Sequence, residues 1–501
     1  MNLYTEYYQR FSDDLYKIAI EPTSGGNWTY LDLHNKSGAL AHKLCELGVQ
    51  KGGRVSVQVG KSVEAVALYL ACLRLGAVFH PLNPAYTLSE LRFFLVDASP
   101  DLVVCRLETE AELSGLITEL NIPGVTLGAS QDGSLLEGLQ VDVDFETVDC
   151  DQDDAAALLY SSGTTGTPKG IVLSHRNLET NSAVLVDAWG FESSDVLLHA
   201  LPIFHVHGLF VALGCVFMAG ASMQWLAAYD PAEARKLLPK STVMMGVPTY
   251  YVRLLADPEF GEKDVQSIRV FISGSAPLLA ETFEQFELRT GHRILERYGM
   301  TETNMNTSNL LVGERRPGTV GPPLPGVSIR VVDARGESLE TGDIGNLQVK
   351  GDNVFQKYWQ LPDKTAEAFT EDGYFDTGDK ALIDSDGYVS IVGREKDMII
   401  SGGLNVYPKE IELLVDKWPG VVESAVIGVP HADFGEAVVA VVVLETAGEF
   451  DEHAIAVSLK ENLANFKRPK RFMVIDELPR NSMGKVGKAG LREKYSDLFA
   501  V

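Results

Sequence analysis

The sequence predicts an α/β fold, with a large N-terminal domain of several layers and a small C-terminal domain in which helices and strands are mixed. Through the first two thirds of the 501 residues, short apolar strand patterns alternate with amphipathic helical patterns, which is typical of largely parallel sheets covered by helices. Beyond about residue 320 the pattern changes to short strands joined by Asp-Gly turns. Hydrophobic residues make up 45% of the chain, which is enough for a large buried core.

Each element of the large domain is predicted from its own pattern and from the residues that bound it. Proline in the first helical turn and glycine after the last turn are the expected boundaries of a helix, and serine is a favoured N-cap. In chain order, these signals predict a strand at 55–60, a helix at 62–75 ended by Gly76, a strand at 155–161, a helix that begins at His175 after Ser174, a strand at 269–273, and a helix at 277–290 ended by Gly291. The stretch 141–154 holds seven carboxylates in fourteen residues, which predicts a solvated connection.

The small domain is expected to begin near the charged run 393–397, so the predicted domains are residues 1–395 and residues 396–501. Its patterns predict a helix at 409–416, strands at 424–429 and 437–444, and a second helix at 452–463. The strands and helices do not alternate regularly here, which indicates a mixed domain.

Charge and cysteine content argue against several classes of function. The chain has 43 Lys and Arg against 69 Asp and Glu, a formal net charge of -26, so neither nucleic acid nor an anionic membrane surface is an expected partner. Its five cysteines are scattered and never in C-x-x-C spacing, which predicts no disulfides, no structural zinc and a reducing, cytoplasmic location.

No membrane segment or signal peptide is predicted. The N-terminus has no basic stretch followed by an apolar one. Residues 196–229 contain no Asp, Glu, Lys or Arg, but Pro202 and several glycines interrupt them. We therefore interpret this segment as buried core beside a site rather than as a membrane span, and we expect a soluble protein without membrane insertion.

The loop 161–170 is the most informative segment. Its glycines let backbone N–H groups converge, and its hydroxyls and lysine add donors, so it is suited to hold phosphates. The candidate residues are Ser161, Ser162, Gly163, Thr164, Thr165, Gly166 and Lys169. It is not a Walker A loop, because Pro168 precedes the lysine and Gly170 follows it. A flexible polar connection is the alternative interpretation.

This loop resembles the signature loop of the acyl-adenylate-forming enzymes, the superfamily of acyl-CoA synthetases, firefly luciferase and peptide-synthetase adenylation domains. Further motifs of that superfamily follow in the same order over essentially the whole chain. They are PIFHVHGL at 202–209, SGSAP at 273–277, YGMTE at 298–302, TGD at 377–379, GREKD at 393–397 and PRNSMGK at 479–485. Because so many motifs match in order, the sequence is identified as a member of this superfamily.

The resemblance implies a reaction in two steps and a mobile small domain. ATP and Mg²⁺ activate a carboxylic acid as an acyl-adenylate with release of pyrophosphate, and coenzyme A then displaces AMP. Glu302 is implied to hold the metal, Lys485 to act in adenylation, and Lys396 to stand at the hinge, where the superfamily often has aspartate. Besides the loop, the residues implied to bind the nucleotide are Gly274, Ser275, Ala276, Pro277, Tyr298, Gly299, Thr301, Asp379 and Arg394. Those implied to bind the acid are Ser273, His205 and His207, and both histidines are implied to be catalytic. Those implied to face coenzyme A are Gly402, Gly403 and Asn405.

Several of these roles have alternatives that the sequence leaves open. Glu302 has the alternative of a surface charge at a helix N-terminus. Tyr298, implied to stack on adenine, has the alternative of a structural aromatic. Asp343 lies in the same Thr-Gly-Asp tripeptide as Asp379, but it lacks the neighbouring motifs of Asp379 and is predicted to lie only in a turn. Lys488, close to Lys485, predicts a solvated charge.

Two arginines indicate a small acid with a second charge. Arg253 lies in an otherwise apolar helical stretch, and Arg297 directly precedes the tyrosine of the YGMTE motif. A buried cation is costly unless it is paired, and a second carboxylate on the substrate would pair it bidentately. The alternative is a salt bridge, for Arg297 with Glu296 or Glu302.

The segments 295–309 and 431–436 closely resemble those of malonyl-CoA synthetases, so the resemblance implies malonate, ATP and coenzyme A as substrates. A ligase for methylmalonate, oxalate or an aryl acid shares every nucleotide motif and is an alternative. A stand-alone adenylation domain that loads a carrier protein is another, although no carrier motif follows Lys485 in this sequence. An inactive nucleotide-binding protein is disfavoured because Lys485 and Glu302 are both present. The sequence does not indicate an oligomeric state.

Overall fold

The structure is a computed structural model and describes residues 2–141, 144–161, 168–401, 404–431, 434–446, 450–481 and 484–499. Its strands are β1 (Ile18–Pro22), β2 (Trp28–Thr29), β3 (Arg54–Gln58), β4 (Val78–Pro81), β5 (Leu102–Cys105), β6 (Gly124–Thr126), β7 (Ala155–Ser161), β8 (Lys169–Ser174), β9 (Val196–His199), β10 (Ser222–Trp225), β11 (Val243–Gly246), β12 (Val270–Ser273), β13 (Leu295–Met300), β14 (Asn304–Ser308), β15 (Ser328–Val332), β16 (Gly345–Lys350), β17 (Lys357–Tyr358), β18 (Phe375–Ile383), β19 (Val389–Arg394), β20 (Ile399–Ser401), β21 (Leu404–Val406), β22 (Val421–His431), β23 (Gly435–Leu444) and β24 (Arg471–Ile475).

The helices lie between these strands. They are α1 (Leu3–Phe11), α2 (Tyr30–Glu46), α3 (Val63–Leu75), α4 (Leu88–Ala98), α5 (Glu110–Glu119), α6 (His175–Trp189), α7 (Leu213–Ala219), α8 (Pro231–Leu237), α9 (Pro248–Leu255), α10 (Ala280–Thr290), α11 (Pro362–Ala368), α12 (Pro408–Val415), α13 (Glu452–Asn462) and α14 (Lys488–Lys494). A π-helix, His207–Ala212, leads directly into α7.

Two large sheets and one small sheet form the first part of the chain. The eight-stranded sheet has the order β14-β13-β12-β11-β9-β10-β1-β2, and the seven-stranded sheet has the order β17-β8-β7-β4-β3-β5-β6. Most neighbouring strands in both are parallel, because helices cross between them. The antiparallel sheet β15-β16-β18-β19 follows, and one apolar core joins all three sheets. The predicted α/β class is confirmed.

The last part of the chain has its own sheet and its own cores. Its strands run in the order β21-β20-β23-β22, with β24 alongside β23. Apolar clusters on this sheet extend from Ile399 to Phe499, whereas the core of the large sheets ends at Val389. The chain therefore passes from one core to the other through the nine residues 390–398, which contain the rest of β19 and the GREKD motif.

Most predicted elements of the large part are confirmed, and one differs. Ser62 caps α3 through its side chain, and the helix ends at Gly76, whose φ is +71°; Ser174 caps α6 in the same way. The helix predicted from Pro277 begins only at Ala280. The residues before it remain a loop because they turn sharply after β12, with Ser275 at a φ of +71°.

The charge-free segment 196–229 forms β9, the π-helix, α7 and β10, and most of its residues are buried. Its interpretation as core is confirmed. Among the described residues, no helix has both the length and the apolar character needed to cross a bilayer.

Candidate active site

The carboxyl ends of β11, β12 and β13 meet at one edge of the larger sheet, and the predicted acid-binding residues lie there. Ser273 is the last residue of β12 and pairs in register with Glu296 of β13, next to Arg297. Ligands of parallel α/β sheets bind at this edge. The strand ends therefore bring together residues that are distant in sequence.

Arg297 is a buried cation that has no counter-ion among the described residues. It is 4% exposed, and its Nε and Nη2 atoms have no hydrogen-bond partner in the part of the chain that the structure describes. Burial lowers its pKa to about 10, while Tyr251 and Cys215 act weakly in the other direction. Arg297 therefore stays charged at neutral pH, and the salt bridges considered for it do not form among the described residues.

In the described part of the chain, three more buried polar atoms of the predicted acid site are unpartnered. These atoms are Ser273 Oγ, His205 Nε2 and His207 Nε2. His207 Nδ1 lies 3.1 Å from Ser275 Oγ. Burial lowers the pKa of His205 to about 3, helped by the charge of Lys485, and burial with the charge of Arg297 lowers the pKa of His207. Both imidazoles are therefore neutral at pH 7 and are suited to hydrogen bonding rather than to proton transfer as cations.

Two residues that sequence reasoning missed, His199 and Lys61, hold the segment that carries these histidines in place. His199 Nε2 lies 2.9 Å from the carbonyl oxygen of Gly208, inside the π-helix. Lys61 Nζ donates to the carbonyl oxygens of His199 at 2.9 Å and Leu226 at 2.6 Å. No local signal marks these contacts, because Lys61 follows β3 and reaches across to the other large sheet, and the contact of His199 forms only with the folded π-helix.

The predicted ribose residues form one hydrogen-bonded group. Asp379 is 3% exposed, and its Oδ1 lies 3.0 Å from Arg394 Nε. The hydroxyl of Tyr298 donates to Asp379 Oδ2. Asp343, in the repeated tripeptide, lies instead in an exposed turn, as predicted.

Glu302 lies in the turn between β13 and β14 and is 6% exposed. Burial raises the pKa of its carboxyl group, and the charges of Arg394, Lys169 and Lys485 oppose that shift. The alternative of a surface charge at a helix N-terminus is wrong, because no helix begins there. The buried carboxylate of Glu302 would suffice to hold Mg²⁺, since this ion takes only one or two protein carboxylates in phosphate sites.

Tyr358 is the residue near Glu302 that sequence reasoning missed. Its hydroxyl lies 3.5 Å from Glu302 Oε1, and Lys169 Nζ lies 4.3 Å from the centre of its ring. Tyr358 comes from β17, which pairs with β8 at the end of the phosphate loop. It therefore connects the loop lysine to the predicted metal residue.

Lys485 reaches this group from the last part of the chain. Its amide donates to Asn481 Oδ1 at 3.0 Å, and a Cβ on Gly484 would lie 3.8 Å from Thr249 Oγ1 on α9. Burial and the nearby charge of Arg394 lower the pKa of Lys485, while Asp379 and Glu302 raise it. Lys488, predicted to be solvated, instead pairs with the buried Glu412 at 2.6 Å.

Arg253 is the one acid-site prediction whose physical premise is wrong. It lies on α9, whose buried residues are Tyr251 and Leu254, and its side chain is exposed. Because water already solvates it, no substrate carboxylate is needed to compensate for burial. Its role at the acid remains a prediction without that argument.

The remaining predicted residues are only partly described. Ser161 and Lys169 pair across β7 and β8, and Gly274, Ser275, Ala276 and Pro277 form the loop after β12, whereas Gly299 lies in β13 and Thr301 in the turn after it. Lys396 is exposed, and partial desolvation together with the charge of Arg394 lowers its pKa to about 8. Asn405 lies in β21, and Ser162, Gly163, Thr164, Thr165, Gly166, Gly402 and Gly403 lie outside the described residues.

Comparisons with known proteins agree with this arrangement. The family described as AMP-binding enzyme matches residues 9–359, and its C-terminal domain matches residues 410–485. A malonate–CoA ligase of Arabidopsis thaliana is 36% identical over 90% of this chain and 79% of its own length. The crystal structure of ATP-bound MatB from Rhodopseudomonas palustris is 50% identical, covers 100% of both chains and has a TM-score of 0.96.

The apo structure of the same MatB has a TM-score of 0.85 with this chain. The arrangement seen here, with Lys485 beside Asp379 and Glu302, is thus closer to the ATP-bound form. Motif order, site geometry and the extent of these matches lead to one conclusion. The chain belongs to the AMP-binding enzyme family.

Proposed function

We propose that the chain is an ATP-dependent malonate–CoA ligase. It activates malonate as malonyl-AMP with release of pyrophosphate and then transfers the malonyl group to coenzyme A. The observation that carries this proposal is the buried, unpartnered guanidinium of Arg297. A malonate–CoA ligase among the relatives supports the same acid.

The acid site is built for a substrate that carries a second negative charge. Arg297 offers Nε and Nη2, and Ser273 and His207 offer further unpartnered polar atoms. A carboxylate accepts two parallel hydrogen bonds from one guanidinium. An aliphatic or aryl acid would leave these buried groups unsatisfied, which is unfavourable.

The nucleotide and metal residues neutralise charge in the first step. Asp379 accepts hydrogen bonds from the ribose hydroxyls, and Tyr298 lies beside it at the adenine. Glu302 would hold Mg²⁺, and the ion would supply neutralisation of the phosphate charge. Lys169 and the hydroxyl-rich loop before it donate to the phosphates.

Lys485 acts at the atoms that react. Its ammonium stabilises the charge that develops on the carboxylate and the α-phosphate, an effect that is strong where water is excluded. The domain boundary is proposed at residues 395 and 396, between the two apolar cores. Rotation about Lys396 then withdraws Lys485 and presents Gly402, Gly403 and Asn405 to the arm of coenzyme A.

A thioester assay with ATP, Mg²⁺ and coenzyme A across malonate, methylmalonate, acetate, propionate, oxalate and coumarate tests the proposal. Malonate should have the highest kcat/KM, and methylmalonate should follow, since it keeps both carboxylates. A higher value for oxalate, coumarate or a monocarboxylate would contradict the assignment of the acid. Faster transfer to a carrier protein than to coenzyme A would contradict the acceptor.

We also propose a cytoplasmic location. The described cysteines form no disulfides, which is compatible with a reducing compartment. Fractionation of cells that express the protein, with detection of the native chain, tests this; recovery in an organelle or membrane fraction would overturn it.

A further inference from the structure

The guanidinium of Arg297 occupies space that exists only because residue 274 has no side chain. A Cβ built on Gly274 would lie 2.3 Å from Arg297 Cζ and 2.5 Å from both Nε and Nη1. Ordinary contacts between carbon atoms are about 3.5–4.0 Å. Any other residue at this position would therefore displace the guanidinium by about 1 Å or more.

The backbone does not by itself require glycine at this position. Gly274 has no positive φ, so an alanine adopts its conformation without strain. Its amide donates to the carbonyl oxygen of Gly246 at 3.3 Å, and an alanine retains that bond. The close approach of Arg297 is thus the reason for glycine in the described surroundings.

Displacement of the guanidinium would change its position within the acid site. Arg297 is 4% exposed, and its charge acts to lower the pKa values of His207, Tyr251 and Cys215. Protein therefore surrounds the guanidinium. The Cβ would stand against the guanidinium directly after Ser273, the last residue of β12. The cation would move relative to the unpartnered atoms of Ser273 and His207.

We propose that Gly274 is a specificity-determining residue that seats Arg297 for the second carboxylate of the acid. It is a positioning residue, since it acts through Arg297, and this inference rests on the proposed function. The resemblance to known enzymes implied only a place for Gly274 among the nucleotide-binding residues. The two roles differ in which substrate responds to a methyl group.

The test compares Gly274→Ala, Arg297→Met, the double variant and a matched control, Gly115→Ala. A Cβ on Gly115 meets no atom within 4 Å. Release of pyrophosphate gives kcat and KM for malonate, propionate and ATP. Because a misplacement of about 1 Å can reduce rates by about 100-fold, Gly274→Ala should lower kcat/KM for malonate by about 10- to 100-fold. Propionate and ATP should change by less than about threefold.

The double variant provides the strictest criterion. If Gly274 acts through Arg297, adding Gly274→Ala to Arg297→Met should lower kcat/KM for malonate no further. Multiplicative losses, or a raised KM for ATP with an unchanged ratio of malonate to propionate, would overturn the proposal. Failure of Gly274→Ala to fold would also overturn it, because only a flexible side-chain end has to move.

The wild-type measurement separates this inference from the proposed function. If wild-type enzyme does not prefer malonate to propionate, the proposed acid is wrong. If it prefers malonate and Gly274→Ala keeps that preference, only the seating role is wrong.

Discussion

Replacement of Arg297 by methionine tests the acid site most directly. Methionine replaces the arginine chain as far as Nε with an unbranched apolar one and removes the charge. Loss of one partner of a buried charged pair costs about 2–5 kcal/mol, which corresponds to about a 30- to 5,000-fold loss of kcat/KM for malonate at about 1.36 kcal/mol per tenfold. Propionate has no second carboxylate and should lose far less, so the ratio of malonate to propionate should fall.

The same variant should behave differently in stability. In the ligand-free protein Arg297 is buried without a partner for Nε and Nη2, and such a charge is unfavourable. Arg297→Met should therefore raise the Tm of the ligand-free protein while it lowers activity with malonate. Thermal unfolding without substrate measures this effect. When malonate and ATP are saturating, the wild type should instead have a higher Tm than Arg297→Met.

Two comparisons define the result that would refute this reasoning. Arg253 is exposed, so Arg253→Met should change the ratio of malonate to propionate less than Arg297→Met does. Arg92, in a surface pair with Glu119, should not change it at all when replaced by methionine. An unchanged ratio in Arg297→Met together with a lowered Tm would show that Arg297 is structural.

Three further predictions concern the nucleotide, the lysine and pH. Lys485→Ala should reduce malonyl-AMP formation by about 100- to 1,000-fold and leave thioester formation from supplied malonyl-AMP within a few-fold, measured as separate half-reactions. Asp379→Asn should raise the KM for ATP by about 10- to 100-fold, because hydrogen bonds to a charged group contribute about 1.5–3 kcal/mol. Glu296→Gln should be more stable than wild type at pH 8.5 and equal to it below pH about 4.5, measured by Tm. The reason is that burial raises the pKa of Glu296 from 4.5 to about 8, so wild-type stability falls as pH rises through that interval.

Each of these predictions has a control within the chain. Lys494, exposed on the last helix, should leave both half-reactions unchanged when replaced by alanine, and equal losses in both for Lys485→Ala would argue against domain rotation. Asp343→Asn should not affect ATP, since Asp343 lies in an exposed turn; equal effects of the two aspartates would remove the ribose assignment. A Glu296→Gln advantage that does not grow with pH would show that Glu296 is ionised in the folded protein.

Local sequence patterns were sufficient for most of the elements around the site. Serine caps and a terminal glycine defined the start of α6 and both ends of α3, and short continuous apolar runs defined β7 and β12. These signals act over a few residues, because capping and side-chain periodicity are properties of a single turn or strand. The loop before α10 was the exception: Pro277 indicated a helix start, but the turn after β12 delayed it to Ala280.

The sequence by itself determined the order of the motifs and the α/β class. It also distinguished Asp379 from Asp343, the aspartate of the repeated tripeptide, which was predicted to lie only in a turn. Only the tertiary structure decided which arginine is buried, that Lys488 pairs with Glu412, and that the hydroxyl of Tyr358 lies close to Glu302. Whether a charged side chain has a partner depends on residues that are far apart in the chain. Such residues meet only in the folded protein, where the ends of different strands come together. A sequence pattern records which faces are apolar, whereas the unpartnered state of Arg297 follows from the packing of β12, β13 and the π-helix around it.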